Sequence, residues 1–256
     1  MRVLVTFAVD AEFAPWRKLR TFKTRAVGDV SVFEAQIGRA AVDFVVTGMG
    51  AENASRVTRD VLSDAHDFCI ASGFSGALRA EHRIGKVLVA EAVQQLGKAK
   101  TLECGRRLVY AARNDGASQV KLFLTADHVV RTAEEKARLA PFADAVDMET
   151  FGVLLAAQQV SRPAVAIRVV SDKYDGEIPR DIEMTMDQRG RVLLGGVARY
   201  LLTDPVHLPA LIRLGRDSRT AAAILANFLE AYIKKLSFFT HGWFPERGGL
   251  QEVAAR

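Results

Sequence analysis

Cysteine is almost absent: Cys69 and Cys104 are the only two in 256 residues. Two thiols build neither a disulfide framework nor a cysteine zinc site. Cys69 lies inside an apolar stretch and reads as a buried thiol. So low a content fits a reducing compartment, and a cytoplasmic location is expected. None of His66, His82, His128, His207 and His241 stands at ligand spacing from another His, a Cys or an acid run, so no metal is expected. No apolar run reaches the ~18 residues that span a bilayer. The opening Met1-Arg2-Val3-Leu4-Val5-Thr6-Phe7-Ala8-Val9-Asp10 carries a charge and lacks a small-residue cleavage site, so a first buried strand is expected rather than a signal peptide. Repeats and low-complexity linkers are also missing, and nothing divides the chain into separate arrays.

What is present is a hydrophobic fraction of 49%, enough for a sizeable core. The net charge is +5, and it is unevenly placed. From Arg189 onward eight Arg and two Lys face two Asp and three Glu, which accounts for the whole excess. A basic end can meet nucleic acid or anionic lipid, but a solvated helical surface explains it as well, and no nucleic-acid partner is expected.

Apolar runs at residues 2–9, 31–37, 43–47, 67–72, 86–90, 120–125 and 164–170 read as strands. Asp10-Ala11-Glu12 reads as the loop after the first of them, with a helix beginning near Phe13. Ala54, Val57, Val61, Leu62 and Ala65 share one helix face. Residues 108–112 fit a short helix or a strand, and 134–142 a short polar helix. Val192, Leu193, Val197, Leu201 and Leu202 mark another helix, closed by Asp204-Pro205, and a last one runs from an N-cap near Asp217 to Lys235. Strands interleaved with helices predict an α/β domain: a mixed, mostly parallel central sheet flanked by helices, with extra helices at the C-terminal end. Residues 1–203 are expected to form that domain, and 204–256 a helical extension packed on it.

The most informative stretch is Ala145-Val146-Asp147-Met148-Glu149-Thr150, an apolar helix, and then Ala164 to Asp172. The run from Ala164 to Val170 is nearly all apolar, as a strand covered on both faces must be. Asp172 falls just past its carboxyl end, where open α/β sheets bind ligands. A helix opening at Glu149 and a strand ending at Asp172 bring two acids to one sheet edge.

Met148-Glu149, followed by a strand that ends Arg168-Val169-Val170-Ser171-Asp172, resembles the nucleoside phosphorylase/nucleosidase superfamily. The resemblance implies that Met148 and Glu149 hold the ribose, with Glu149 taking the sugar hydroxyls. It implies that Asp172, beside Ser171, protonates the purine leaving group. Thr47 and Gly48, in a strand-to-helix Thr-Gly-Met-Gly turn, become ribose or phosphate contacts. The same turn has the context of a dinucleotide fingerprint, but Asn53 replaces the third Gly. Phe74 and Ser75, in Ser72-Gly73-Phe74-Ser75-Gly76, match the family's Gly/Ser turn, with Phe74 where many nucleosidases have a small residue. Val129 and Val130, beside His128, fall in the base-binding turn. Counted from Met1, Glu12 stands where methylthioadenosine/S-adenosylhomocysteine nucleosidases carry the acid that activates water. An acid there repels phosphate, so water is the better nucleophile. Arg168 is equally a salt-bridge partner or a ligand contact, and Asp147 a secondary acid.

The activity implied is cleavage of a purine N-glycosidic bond, with adenine the first choice of base, without a cofactor. Phosphorolysis, with phosphate as co-substrate and glycosyl transfer as the reaction, is the alternative. A nucleoside-binding module without catalysis is a third reading. A homo-oligomer, first of all a dimer, follows from the same resemblance. Gly73-Phe74-Ser75-Gly76-Ala77 also nearly matches a nucleophile elbow, and Ser75, Asp172 and His207 come in α/β-hydrolase order. His207 lies between two prolines with no strand before it, which counts against that triad. Phe238, Phe239, Trp243 and Phe244 near Lys234, Lys235 and Arg247 form a basic aromatic end. It is similar to the C-terminal part of hopanoid-associated phosphorylases and fits peripheral membrane contact, although an oligomer contact explains it too.

Overall fold

The computed structural model describes residues 1–178 and 208–238. Its centre is β1 (Arg2–Phe7), whose residues from Val3 onward are buried. β1 pairs in parallel with β4 (Ala40–Val46) on one side and β5 (Phe68–Ala77) on the other. β2 (Lys23–Val27) and β3 (Val30–Ile37) extend the sheet beyond β4 by antiparallel pairing. On the other side β5 pairs with β10 (Ala164–Asp172), which pairs with β6 (Val87–Gln95). β6 continues to β8 (Ser118–Thr125), β8 to β9 (Ala145–Asp147), and β9 returns to β5. The ten-stranded sheet therefore curls into a closed ring at this end, with β7 (Thr101–Glu103) added to β6. The parallel pairings, β1–β4, β1–β5, β5–β10, β6–β8 and β8–β9, are matched in number by antiparallel ones. The sheet is mixed as expected. Its parallel bias belongs to the centre around β1 and β5, and the antiparallel hairpins and short strands of the periphery balance it.

Helices flank this sheet. α1 (Asp10–Leu19) and α2 (Ala51–Val61) follow β1 and β4. α3 (Arg106–Asn114), α4 (Ala133–Leu139) and α5 (Thr150–Gln159) surround the ring. The last helix, α6 (Leu208–Leu236), packs on α1, α3 and β10 and sends Leu225, Leu229, Tyr232 and Ile233 into the main core. It begins before the expected Asp217, because Pro209 sits in its first turn, where a missing N–H costs nothing. α5 packs against α2, β5 and β10. A Cβ at Gly152 would collide with the Ala51 carbonyl oxygen, so glycine lets α5 lie directly on the start of α2. The expected helix over residues 192–202, His207 and the aromatic cluster from Phe239 onward lie outside the described residues. Phe238 is exposed, with the Arg39 guanidinium 5.2 Å from its ring centre. Among the described residues no helix is long and apolar enough to cross a membrane.

Candidate active site

Glu12 is not in a loop. The chain turns into α1 at Asp10, so Glu12 occupies the first helical turn, where unpaired N–H groups favour negative charge. Its Oε2 accepts from the backbone N–H groups of Ala8 (2.7 Å) and Val9 (3.2 Å), and its Oε1 from that of Phe74 (2.7 Å). The side chain is buried. The approach to β5 requires Gly73, whose φ is +140°: a Cβ there would lie 2.5 Å from Glu12 Oε1. Gly73 to Gly76 is thus strand, not turn, and the nucleophile elbow with its strand–turn–helix geometry is not formed.

Arg168 is fully buried on β10, opposite Gly73. Its Nε donates to Thr150 Oγ1 (2.9 Å) and lies 3.2 Å from Asp147 Oδ2. Its Nη1 donates to the Phe74 carbonyl (3.3 Å), and Nη2 lies 3.7 Å from Glu149 Oε2. Burying an unpaired guanidinium is prohibitive, so the three carboxylates that feel its charge, Asp147, Glu149 and Glu12, are part of one unit.

Asp147 organises the turn into α5. Its Oδ1 accepts from Thr125 Oγ1 (2.9 Å) and from the N–H groups of Glu149 (3.0 Å) and Thr150 (3.1 Å). Its Oδ2 accepts from the Thr150 hydroxyl. Those N–H groups belong to the helix start and have no intrahelical partner. Expected as secondary, Asp147 instead fixes where Glu149 points. Glu149 Oε1 accepts from the Gly50 N–H (3.0 Å) at the N-terminus of α2. That N–H, which a dinucleotide phosphate would need, is already taken.

Asp172 ends β10 opposite Gly76, and a Cβ on Gly76 would lie 3.7 Å from its Oδ2. The same Oδ2 accepts from the ammonium of Lys136, a fully buried residue of α4. All three acids therefore border one strand end, Gly73–Gly76: Glu12 and Asp172 directly, Glu149 through Arg168. Lys136 was invisible in the sequence, where it is one cation in a short polar helix. Only its complete burial singles it out.

Burial raises the Glu12 carboxyl above its ordinary value, against the pull of Arg168 and of its three N–H donors. Glu149 is pushed up to about 7 by burial, with Asp147 and Glu12 adding to the shift and Arg168 opposing it. Asp172 is also raised by burial, although Lys136 works in the other direction. Raised carboxyl values gathered around one strand end are a usual mark of acid–base machinery.

The remaining candidates fall around these groups. Thr47 is buried, with Oγ1 at 3.2 Å from the Phe7 carbonyl and 2.9 Å from that of Gly48, so its hydroxyl is engaged with the main chain. Thr47 and Gly48 also line a cavity of about 270 Å³ with Asp10, Arg17, Asn53 and Arg56, and none of the three acids lines it. Phe74 is half-buried, and its main chain serves both Glu12 and Arg168. Ser75 Oγ is buried and has no hydrogen-bond partner among the described residues. Met148, Val129 and Ser171 are half-buried. Val130 packs in a small satellite core with Leu78, Leu124 and Val146. His128 is exposed and pairs with Asp127 and Glu135 (both 2.7 Å). Among the described residues no group of three or more His, Cys, Asp and Glu side chains is placed to hold a metal ion.

Known proteins share this architecture. The 5′-methylthioadenosine/S-adenosylhomocysteine nucleosidase of Helicobacter pylori, solved with butyl-thio-DADMe-Immucillin-A, superposes with a TM-score of 0.72 at 17% identity, over 92% of this chain and 98% of that one. The corresponding enzyme of Neisseria meningitidis, solved with methylthio-immucillin-A, gives 0.69 at 21% identity over 91% and 99%. Futalosine hydrolase of Helicobacter pylori gives 0.71 at 17% identity over 92% and 98%. At these identities the likeness is one of fold. A comparison with curated protein sequences gives no match. The model of the Phosphorylase superfamily, however, matches residues 2–193. With the matching sheet and flanking helices, this places the chain in the Phosphorylase superfamily, as an enzyme of the nucleosidase or nucleoside phosphorylase kind.

Proposed function

We propose that the protein hydrolyses the N-glycosidic bond of a purine nucleoside, adenine being the first choice of base, and releases the free base. The observation that carries this is the buried Glu12–Arg168–Glu149 unit bordering the same strand end as Asp172. The reaction needs a proton on the departing base, a stabilised oxocarbenium-like sugar and a nucleophile on the opposite face. Asp172, raised by burial, gives its proton to the purine ring as the C–N bond breaks. Glu149, once ionised, accepts from the ribose hydroxyls and places negative charge beside the cationic sugar. Glu12 holds a water molecule and takes its proton. Its raised pKa brings it closer to the working pH, where a general base is most effective.

Charge supports water over phosphate. Arg168 is one cation among Glu12, Asp147 and Glu149, and it is already shared between them. A dianionic co-substrate next to Glu12 meets repulsion from its carboxylate, while Arg168 is already engaged. The similar solved structures point the same way, being named nucleosidases and a hydrolase. Incubation with purine nucleosides, with and without phosphate, tests the reading. Free ribose is expected at a rate that phosphate does not change. Formation of ribose 1-phosphate overturns water as nucleophile, and binding without base release overturns catalysis. We also propose a homo-oligomer, with a dimer first; sedimentation at the monomer mass contradicts it.

A further inference from the structure

The chemistry above uses Asp172 and leaves Lys136 without a task. The Lys136 ammonium is fully buried and donates to Asp172 Oδ2, to the Lys173 carbonyl (2.7 Å) and to the Gly176 carbonyl (2.9 Å). Its three protons are thereby all placed, and every acceptor lies between residues 172 and 176. The chain just beyond is held near the start of α4, because the Ile178 N–H donates to the Arg131 carbonyl (3.1 Å), two residues before that helix. It also folds tightly over the acid: a Cβ on Gly176 would sit 2.7 Å from Asp172 Oδ1. An apolar side chain would fill the same space without the desolvation cost of an ammonium. The charge is therefore there for the carboxyl group.

We propose that Lys136 is a positioning residue for the acid, fixing the orientation of the Asp172 carboxyl group and holding residues 172–176 against it. The proposal rests on the nucleosidase reading. As the base departs, the Asp172 O–H bond breaks and an N–H bond forms on the purine. The carboxylate left behind appears beside a resident cation, so its charge is matched as it develops. Asp175 works against Lys136 at this carboxyl group, and the main chain of Lys173 assists.

The test compares the intact protein with Lys136→Met and Lys136→Arg. Two substrates are used, a purine nucleoside and 4-nitrophenyl riboside, whose leaving group needs no proton. Lys136→Met is expected to lose about 10²-fold in kcat on the nucleoside with KM roughly unchanged, and little on the nitrophenyl compound. The alkaline limb of its kcat/KM profile moves to higher pH, because the cation that favours the carboxylate is gone. Lys136→Arg restores most of the rate. Equal losses on both substrates with an unmoved limb overturn the proposal in favour of packing alone. Should Lys136→Met not fold, Lys136→Gln, which donates without charge, carries the same readouts. A wild-type protein that releases no base overturns the nucleosidase reading instead. The proposal is then decided by the 13C titration of the Asp172 carboxyl: a midpoint raised in the variant upholds it, and an unchanged midpoint overturns it.

Discussion

Glu149 combines a functional demand with a cost. Its folded pKa of about 7 lies above the ordinary carboxyl value of 4.5, so the folded state binds its proton more tightly than the unfolded chain does. This contribution to stability is full below about pH 4.5 and is lost as pH rises through about 7. Glu149→Gln removes the loss, so the variant gains stability relative to wild type as pH increases, read by melting temperatures on either side of neutrality. Ligand binding runs in the opposite sense. Ribose hydroxyls donate to the carboxylate, so nucleoside affinity of the wild type is expected to rise through about pH 7 and that of Glu149→Gln to stay flat. Glu12→Gln tests the nucleophile side. An amide keeps the volume but cannot take a proton, and its NH2 faces the backbone N–H groups that Glu12 accepts from. A kcat loss of about 10²–10⁴ is expected, and activity within a factor of a few sinks the role. At this scale residue type and order single out Glu12, Glu149 and Asp172 as candidates, and the fold brings all three to the Gly73–Gly76 strand end. The sequence was silent on Lys136 and undervalued Asp147, because a lysine or aspartate shows its burial only once the chain has folded around it.

Elements were legible in proportion to their periodicity. β1, β4, β5 and β10 are long apolar runs, and α2 has a clean buried face, so residue pattern alone locates them. β7 and β9 have three residues each, too few for any period to register. β2 carries exposed and half-buried residues along an edge, so no apolar pattern marks it. The glycines of β5 read as a turn because glycine is usually punctuation. Here Gly73 instead admits Glu12 and Arg168 against the strand. Gly152 plays a comparable part between helices. Gly152→Ala is expected to push α5 off the start of α2, destabilising the fold by roughly 1–3 kcal/mol and weakening the Glu149 contact to Gly50. Denaturant unfolding measures the first effect and nucleoside KM the second. An alanine variant as stable as wild type contradicts the packing described.

In the whole molecule the curled sheet and α6 decide what the site can rely on. The ring β5–β10–β6–β8–β9 gathers the ends of distant strands, which is how residues 12, 73–76, 147–149 and 172 come to neighbour one another. The alternation of strand and helix patterns predicts an α/β class, but not ring closure, since that depends on β10 and β9 each pairing twice. α6 belongs to the main core, with Leu229 fully buried and the Tyr232 hydroxyl donating to the Leu108 carbonyl (2.9 Å). Leu229→Ala is expected to cost about 2–5 kcal/mol, measured by chemical denaturation; a loss well below this indicates that α6 contributes little to the fold.

The most direct test is the rate of base release from a purine nucleoside in phosphate-free buffer, wild type against Asp172→Asn. Release by the wild type and a loss of about 10²–10⁴-fold in the variant are the predicted result. An asparagine variant that frees the base as fast as the wild type would contradict the account.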